Sequence, residues 1–292
     1  MTVNYSTRIE LEPNFRRRFG AIWPRCIALR SLNPTVPPQC ILSPYYIASY
    51  VRCPDAVVVD PKLRTRIQHT QKLWLRSPSC AQLDSITRTA LEMLKTPITQ
   101  IIGIGLGKVR PKAPWYANSA LQHLLLFSLA KVINTRNKTY HPATSAVKII
   151  LQDPCYEAND HTLLRSLTSS PLTFPFSDPE TLLAVNEQSM LVTAYLPIGV
   201  PLIQILGDLF SPSSSTAKGP GIMICDIMKG LAADKQWYCA QNRDAPHVAR
   251  WLRGYEMWQH KFEGLGRELE RDVELNQPYW MEQMDFRVRK DR

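Results

Sequence analysis

Ile98-Thr99-Gln100-Ile101-Ile102-Gly103-Ile104-Gly105-Leu106-Gly107 is an apolar run that closes on three glycines at alternate positions. An uninterrupted apolar run bounded by glycine reads as a strand buried on both faces. Glycines at that spacing supply a tight turn and let the backbone come close to a neighbour. The stretch therefore predicts a central strand over about 98–102, followed by a loop at its carboxyl end.

The segments after it repeat the pattern. Pro111 and Pro114 delay any helix to about residue 115, and Asn118 or Ser119 can cap one that runs to Ile133. That helix is apolar nearly all round and belongs against a sheet. Val147–Leu151 forms the second strand, Leu172–Phe174 a short third, Ser189–Leu196 the fourth and Gly221–Cys225 the fifth. Helices are expected over 161–168, with Asp160 as cap, over 179–185 and over Leu202–Phe210. Strands alternating with helices give an α/β fold: a Rossmann-like three-layer sandwich, with a mainly parallel five-stranded sheet between two helical layers.

Two further helices precede the glycine stretch. Residues 62–76 form a basic amphipathic helix, and Ser79 can cap a second helix that runs to Lys95. Residues 1–60 carry seven prolines and read as an irregular extension, with a short strand or helix turn at Tyr45–Val51 and a short β segment at Ala56–Val59. The organisation is thus an extension over 1–60, a Rossmann-type domain over 61–230 and a helical C-terminal extension over 231–292. The tail Arg287–Arg292 is basic and is expected to be loose.

Charge is unevenly placed. The chain carries 35 Lys and Arg against 25 Asp and Glu, and residues 1–112 hold 17 and 6 of them, so the whole excess lies upstream. A basic region of this kind can contact an acidic partner. No zinc finger, homeodomain-like helix or RNP motif accompanies it, so nucleic acid is not expected. The seven cysteines are scattered, with no Cys-x-x-Cys pair, which argues for reduced thiols and against a metal site. No apolar run is long enough to cross a bilayer and no secretion signal is visible. A cytoplasmic protein is expected, with a nuclear place also open and a homo-oligomer allowed.

In open α/β sheets the site lies beyond the carboxyl ends of the strands. Gly103, Gly105, Gly107, Gln152, Asp153, Tyr156, Tyr195, Pro197 and Asp226 all fall there. Asp153 can accept hydrogen bonds from ribose hydroxyls or cap its own Asp-Pro turn. Gln122-His123 is a polar pair on an apolar helix, and each member needs a partner or a place in the crevice. Asp153 and His123 are the candidates for proton transfer, Tyr156 and Tyr195 for walls. The glycines are not the dinucleotide fingerprint, since Lys108 stands where its third glycine would be. They come nearer to the alternation of adenosylmethionine-dependent methyltransferases, although Ile101 stands where those carry an acid. Adenosylmethionine and a nicotinamide nucleotide are both open as cofactors.

Ile101–Gly105, Ala120–Leu126, Leu151–Tyr156, Ser189–Val192 and Pro201–Asp208, in that order and spacing, resemble the SRR1-like family, and its fungal form most. The resemblance covers about 80–230. It implies a Rossmann-like domain and a link to light, clock or haem-related regulation, with no settled chemistry. Leu106 replaces the family's usual Ser, and Pro197-Ile198-Gly199-Val200-Pro201 replaces a shorter polar turn. Both changes predict a more apolar crevice, suited to an organic small molecule in specialised metabolism. The competing reading is a non-catalytic regulatory module that works through a partner.

Overall fold

Successive residues of a strand face opposite sides of a sheet, and the central strands here bury both sides. The computed structural model describes residues 2–4, 46–48, 61–109, 116–153, 155–175, 178–194, 202–210, 218–226, 246–258, 269 and 284–291. β1 (Thr2–Asn4) and β2 (Tyr46–Ala48) form an antiparallel pair of their own. The segment expected at Ala56–Val59 lies outside the described residues.

The helices α1 (Pro61–Arg76) and α2 (Pro78–Glu92) follow. Ser77, not Ser79, caps α2: its Oγ accepts from the Cys80 N–H at 3.1 Å, and Pro78 fills the first turn where no N–H is needed. Then come β3 (Gln100–Ile104), α3 (Tyr116–Tyr140), β4 (Lys148–Gln152), α4 (Ala158–Arg165), β5 (Leu172–Thr173), α5 (Asp178–Leu183) and β6 (Ser189–Thr193). α6 (Leu202–Phe210), β7 (Ile222–Asp226), α7 (Pro246–Leu252), β8 (Tyr255–Met257) and β9 (Met284–Arg289) complete the order.

Seven strands make one sheet in the order β5-β4-β3-β6-β7-β9-β8. The five expected strands are all present and mutually parallel. Ile101, Ile149, Leu151, Met190, Val192, Ile222 and Ile224 face a core shared with α1 to α4. Ile102, Ile150, Leu191, Met223 and Cys225 face a second core under α5, α6 and α7. The architecture is a Rossmann-like three-layer α/β sandwich with a mixed sheet.

Most element ends differ by a few residues from the sequence reading, and three differences have structural consequences. β3 starts two residues later and runs through Gly103, so that glycine is a strand residue. A Cβ built there would stand 2.7 Å from Leu151 Cδ2 and 2.9 Å from Leu106 Cδ1, so any side chain would force those leucines to move and close packing favours glycine. Second, α3 is longer than expected at both ends, which puts Asn118 and Ser119 inside its first turns.

Third, the C-terminal segment is neither all helical nor loose, and the sheet has seven strands where five were expected. β9 pairs antiparallel with β7 and β8, and all six of its residues are buried. Met284, Phe286 and Val288 enter the core. The charged alternates are neutralised locally. Arg287 donates to Asp285 at 2.6 Å, and Arg289 donates to Asp291 at 2.7 Å and to the Gly219 carbonyl at 2.8 Å. Buried charges paired within the segment allow a strand where the sequence reads as a solvated tail, although Asp285 Oδ1 and Arg287 Nε are left without a hydrogen bond among the described residues.

No helix among the described residues is long and apolar enough to cross a membrane. Removing the Arg289 side chain would strip partners from the buried Gly219 carbonyl and from Asp291. Arg289→Ala is expected to lower unfolding free energy by about 2–4 kcal/mol in urea titration. Lys290→Ala, on the exposed neighbour, should stay within about 0.5 kcal/mol of wild type.

Candidate functional site

Strand order reverses between β4 and β6, on either side of β3. The crevice that such a reversal opens lies beyond the carboxyl ends of β3 and β6. The glycine loop leaves β3 at that point. Gly105 and Gly107 have φ of 72° and 75°, the left-handed region in which a side chain costs roughly 1–2 kcal/mol.

Alternate N–H groups of this loop all point the same way. The Gly105 N–H donates to the Gln152 carbonyl at 2.9 Å. The Gly107 N–H donates to Asp153 Oδ2 at 2.7 Å, and the Val109 N–H to Asp160 Oδ1 at 3.0 Å. The second oxygens of these carboxylates hold the next turn: Asp153 Oδ1 accepts from the Cys155 N–H at 2.8 Å and Asp160 Oδ2 from the Glu157 N–H at 2.9 Å. Asp160 is thus the third residue of α4, not its cap. On the other side, Ser119 Oγ donates to the Gly107 carbonyl at 2.9 Å. The loop is clamped between α3 and the β4–α4 turn.

His123 extends the clamp. It is fully buried on α3, with Nδ1 2.6 Å from the Ser119 carbonyl and Nε2 2.7 Å from the Tyr156 hydroxyl. A carbonyl only accepts, so Nδ1 carries the hydrogen and Nε2 accepts from the tyrosine. Burial pushes the imidazole pKa down to about 4, which keeps this neutral tautomer at pH 7. Burial, reinforced by the charges of Asp153 and Asp160, raises the Tyr156 phenol well above its ordinary value. The Tyr156 ring meets His161 and Phe174 edge-on. Burial also raises the Asp153 carboxyl, opposed by the Cys155 and Gly107 N–H groups and by Lys108. Lys108 itself pairs with Glu157 at 3.7 Å.

The structure brings Gly105, Gly107, Gln152, Asp153, His123 and Tyr156 into one network. Gly103 stands below it, in the strand. Gln122 is buried one residue from His123, and Asp226 ends β7 at the same edge of the sheet. Tyr195 and Pro197 lie outside the described residues. Leu106 does not wall the crevice: it is buried against Gly103 in the core under α3, so its share of the expected apolar lining is absent. Sequence reasoning gave Ser119 only a capping role and missed what it does for the loop. Its one available signal was the four-residue spacing from His123, which puts both on one helix face.

The SRR1 domain model matches residues 79–265. This chain belongs to the SRR1 domain family. The match runs from α2 to beyond β8 and takes in every residue of the clamp, further than the resemblance over 80–230 reached. No curated protein and no solved structure matches the chain. Among the described residues of this SRR1 domain, no three His, Cys, Asp or Glu side chains gather as metal ligands.

A separate groove of about 450 Å³ opens at the other end of the sheet, between α1, α3 and the segments leading into β4 and β5. Gln71, Lys131, Asn134, Asn137, Lys138 and Ser170 are among its walls, and no described wall residue is acidic.

The neutral His123 has a measurable consequence. Above its unfolded pKa of about 6.5 it is neutral in both states and contributes no pH dependence. As pH falls, the unfolded chain takes the proton first, so stability drops until the folded pKa near 4 is passed. Urea titrations at pH 7 and pH 5 should show a loss of about 2 kcal/mol that is absent in His123→Gln.

Proposed function

We propose that this SRR1 domain binds an organic small molecule in the crevice beyond β3 and β6, and that it works there without a metal. The observation that supports this most is the clamp. Two carboxylates, held largely out of water, accept backbone N–H groups from a loop that has two left-handed glycines. Removing carboxylates from water is costly, and here it fixes the shape of a loop at the position where α/β sheets take ligands. Preorganisation of this kind lowers the ordering cost of binding.

In this reading Asp153 and His123 are positioning residues. Asp153 sets the loop, and His123 sets Tyr156, with both its nitrogens engaged in the resting protein. Chemistry in the crevice would rest on orientation of the bound molecule and on proton transfer. Adenosylmethionine is the cofactor class most in keeping with the loop. The glycine alternation at the carboxyl end of β3, which comes nearer to that of adenosylmethionine-dependent methyltransferases than to the dinucleotide fingerprint, supports it. Methyl transfer in specialised metabolism is the finer form of this proposal.

The groove supports a second reading, a regulatory module with an acidic partner. Lys131 and Lys138 line it, and α1 beside it carries exposed Arg64, Arg66 and Lys72 with no acid in its sequence. Reversing those three charges would abolish such an interaction and leave the crevice intact.

The discriminating experiment is thermal-shift screening of the full chain with adenosylmethionine, its demethylated product, nicotinamide nucleotides and hydrophobic metabolites. At a hundredfold excess over Kd, a true ligand should raise Tm by roughly 5–10 °C. Asp153→Ala, with its circular dichroism unchanged, should lose that shift. No stabilisation by any compound would overturn the crevice reading.

A further inference from the structure

Two side-chain amides at the loop have no hydrogen bond among the described residues. Asn118 is 7% exposed and Gln122 is 4% exposed, and the Asn118 Oδ1 is shielded with no partner. Buried amides are nearly always satisfied, so a pair left open invites a missing partner.

Their position says where that partner sits. Asn118, Gln122 and Leu126 are spaced four apart and form one stripe along α3. Leu126 marks its lower end, since its Cδ1 is 3.3 Å from where a Gly103 Cβ would stand. Each step back along the helix moves the stripe by about one turn, roughly 5.4 Å. α3 leads from β3 to the parallel β4 and so runs back along the sheet. Those steps therefore pass from Gly103 towards the carboxyl end of β3 and the glycine loop. The Ser119 bond to the Gly107 carbonyl ties the same turn to that loop.

The loop also restricts what can bind. A phosphate at such a loop needs free backbone N–H donors. Those of Gly105, Gly107 and Val109 are already given to Gln152, Asp153 and Asp160. Two carboxylates lie directly behind the loop, and Lys108 is paired with Glu157. The field there favours a neutral or cationic group over a phosphate.

We infer that Asn118 and Gln122 are the polar anchors of the crevice, and that its occupant is a phosphate-free organic molecule whose amino, amide or hydroxyl groups donate to them. This rests on the crevice reading above. Adenosylmethionine has that chemistry, and a nicotinamide dinucleotide, with its pyrophosphate, does not.

The test uses the full chain, adenosylmethionine and NAD+ as probes, and the near-isosteric variants Asn118→Leu and Gln122→Met. Wild type should bind adenosylmethionine at least tenfold more tightly than NAD+ by calorimetry. Each variant should weaken adenosylmethionine at least tenfold. Because Asn118→Leu removes a shielded, unpartnered amide oxygen and Gln122→Met replaces an amide that makes no hydrogen bond among the described residues, neither should lower the ligand-free melting temperature. Asn118→Asp, which keeps the acceptor, should retain binding. NAD+ binding the more tightly, variants that bind as wild type does, or variants that melt lower without ligand would each overturn this inference and leave the crevice reading standing. Binding of neither probe to wild type would count against the crevice reading and overturn this inference with it.

Discussion

The SRR1 domain turns on two carboxylates that accept backbone N–H groups from a loop at the centre of the sheet. Asp153 and Asp160 each spend one oxygen on the glycine loop and one on the turn that carries them. The β3 loop and the β4–α4 turn are therefore a single object. Neither can change shape without leaving a largely buried carboxylate oxygen unpartnered, which is more costly than losing an ordinary exposed hydrogen bond. The left-handed glycines are what this geometry demands of the backbone.

The helical side of the clamp depends on the same constraint. Ser119 faces two ways: its hydroxyl holds the Gly107 carbonyl, and its own carbonyl fixes the His123 tautomer. That tautomer leaves Nε2 as the acceptor for Tyr156, whose phenol is kept protonated by burial and by the two nearby carboxylates. Asp153 and Asp160 act on the tyrosine, while the histidine is set by burial and by the Ser119 carbonyl. One arrangement of protons satisfies every group in the chain Gly107–Ser119–His123–Tyr156. A fixed network of this kind suits positioning better than proton exchange with solvent.

How much of this could be read in the sequence follows from how local each signal is. The five parallel strands and their crossover helices were legible because apolar runs such as Val147–Leu151 carry their own pattern. The place of the loop was legible for the same reason. Its chemistry was not, since Asp160 reaches Val109 across 51 positions and no spacing rule connects them. Asp153 allowed two readings in sequence, and in the structure its oxygens meet backbone amides. Leu106 read as crevice lining, but the tight turn at Gly105 sends it into the core above Gly103. β9 failed for an opposite reason: Asp285, Arg287 and Arg289 look solvated until the structure shows that they are neutralised within the sheet. The unpaired Asn118 had no sequence signal, because an absent hydrogen bond leaves none.

The central claim is that carboxylates hold the glycine loop, and residue-resolved hydrogen exchange of the Gly107 and Val109 amides in the full chain tests it most directly. If the clamp is as described, both amides exchange nearly as slowly as Ile102 in β3. Asp153→Asn then speeds Gly107 by at least tenfold and leaves Val109 and Ile102 close to wild type. Exchange of Gly107 and Val109 at the rate of a free surface loop in the wild-type protein would contradict it.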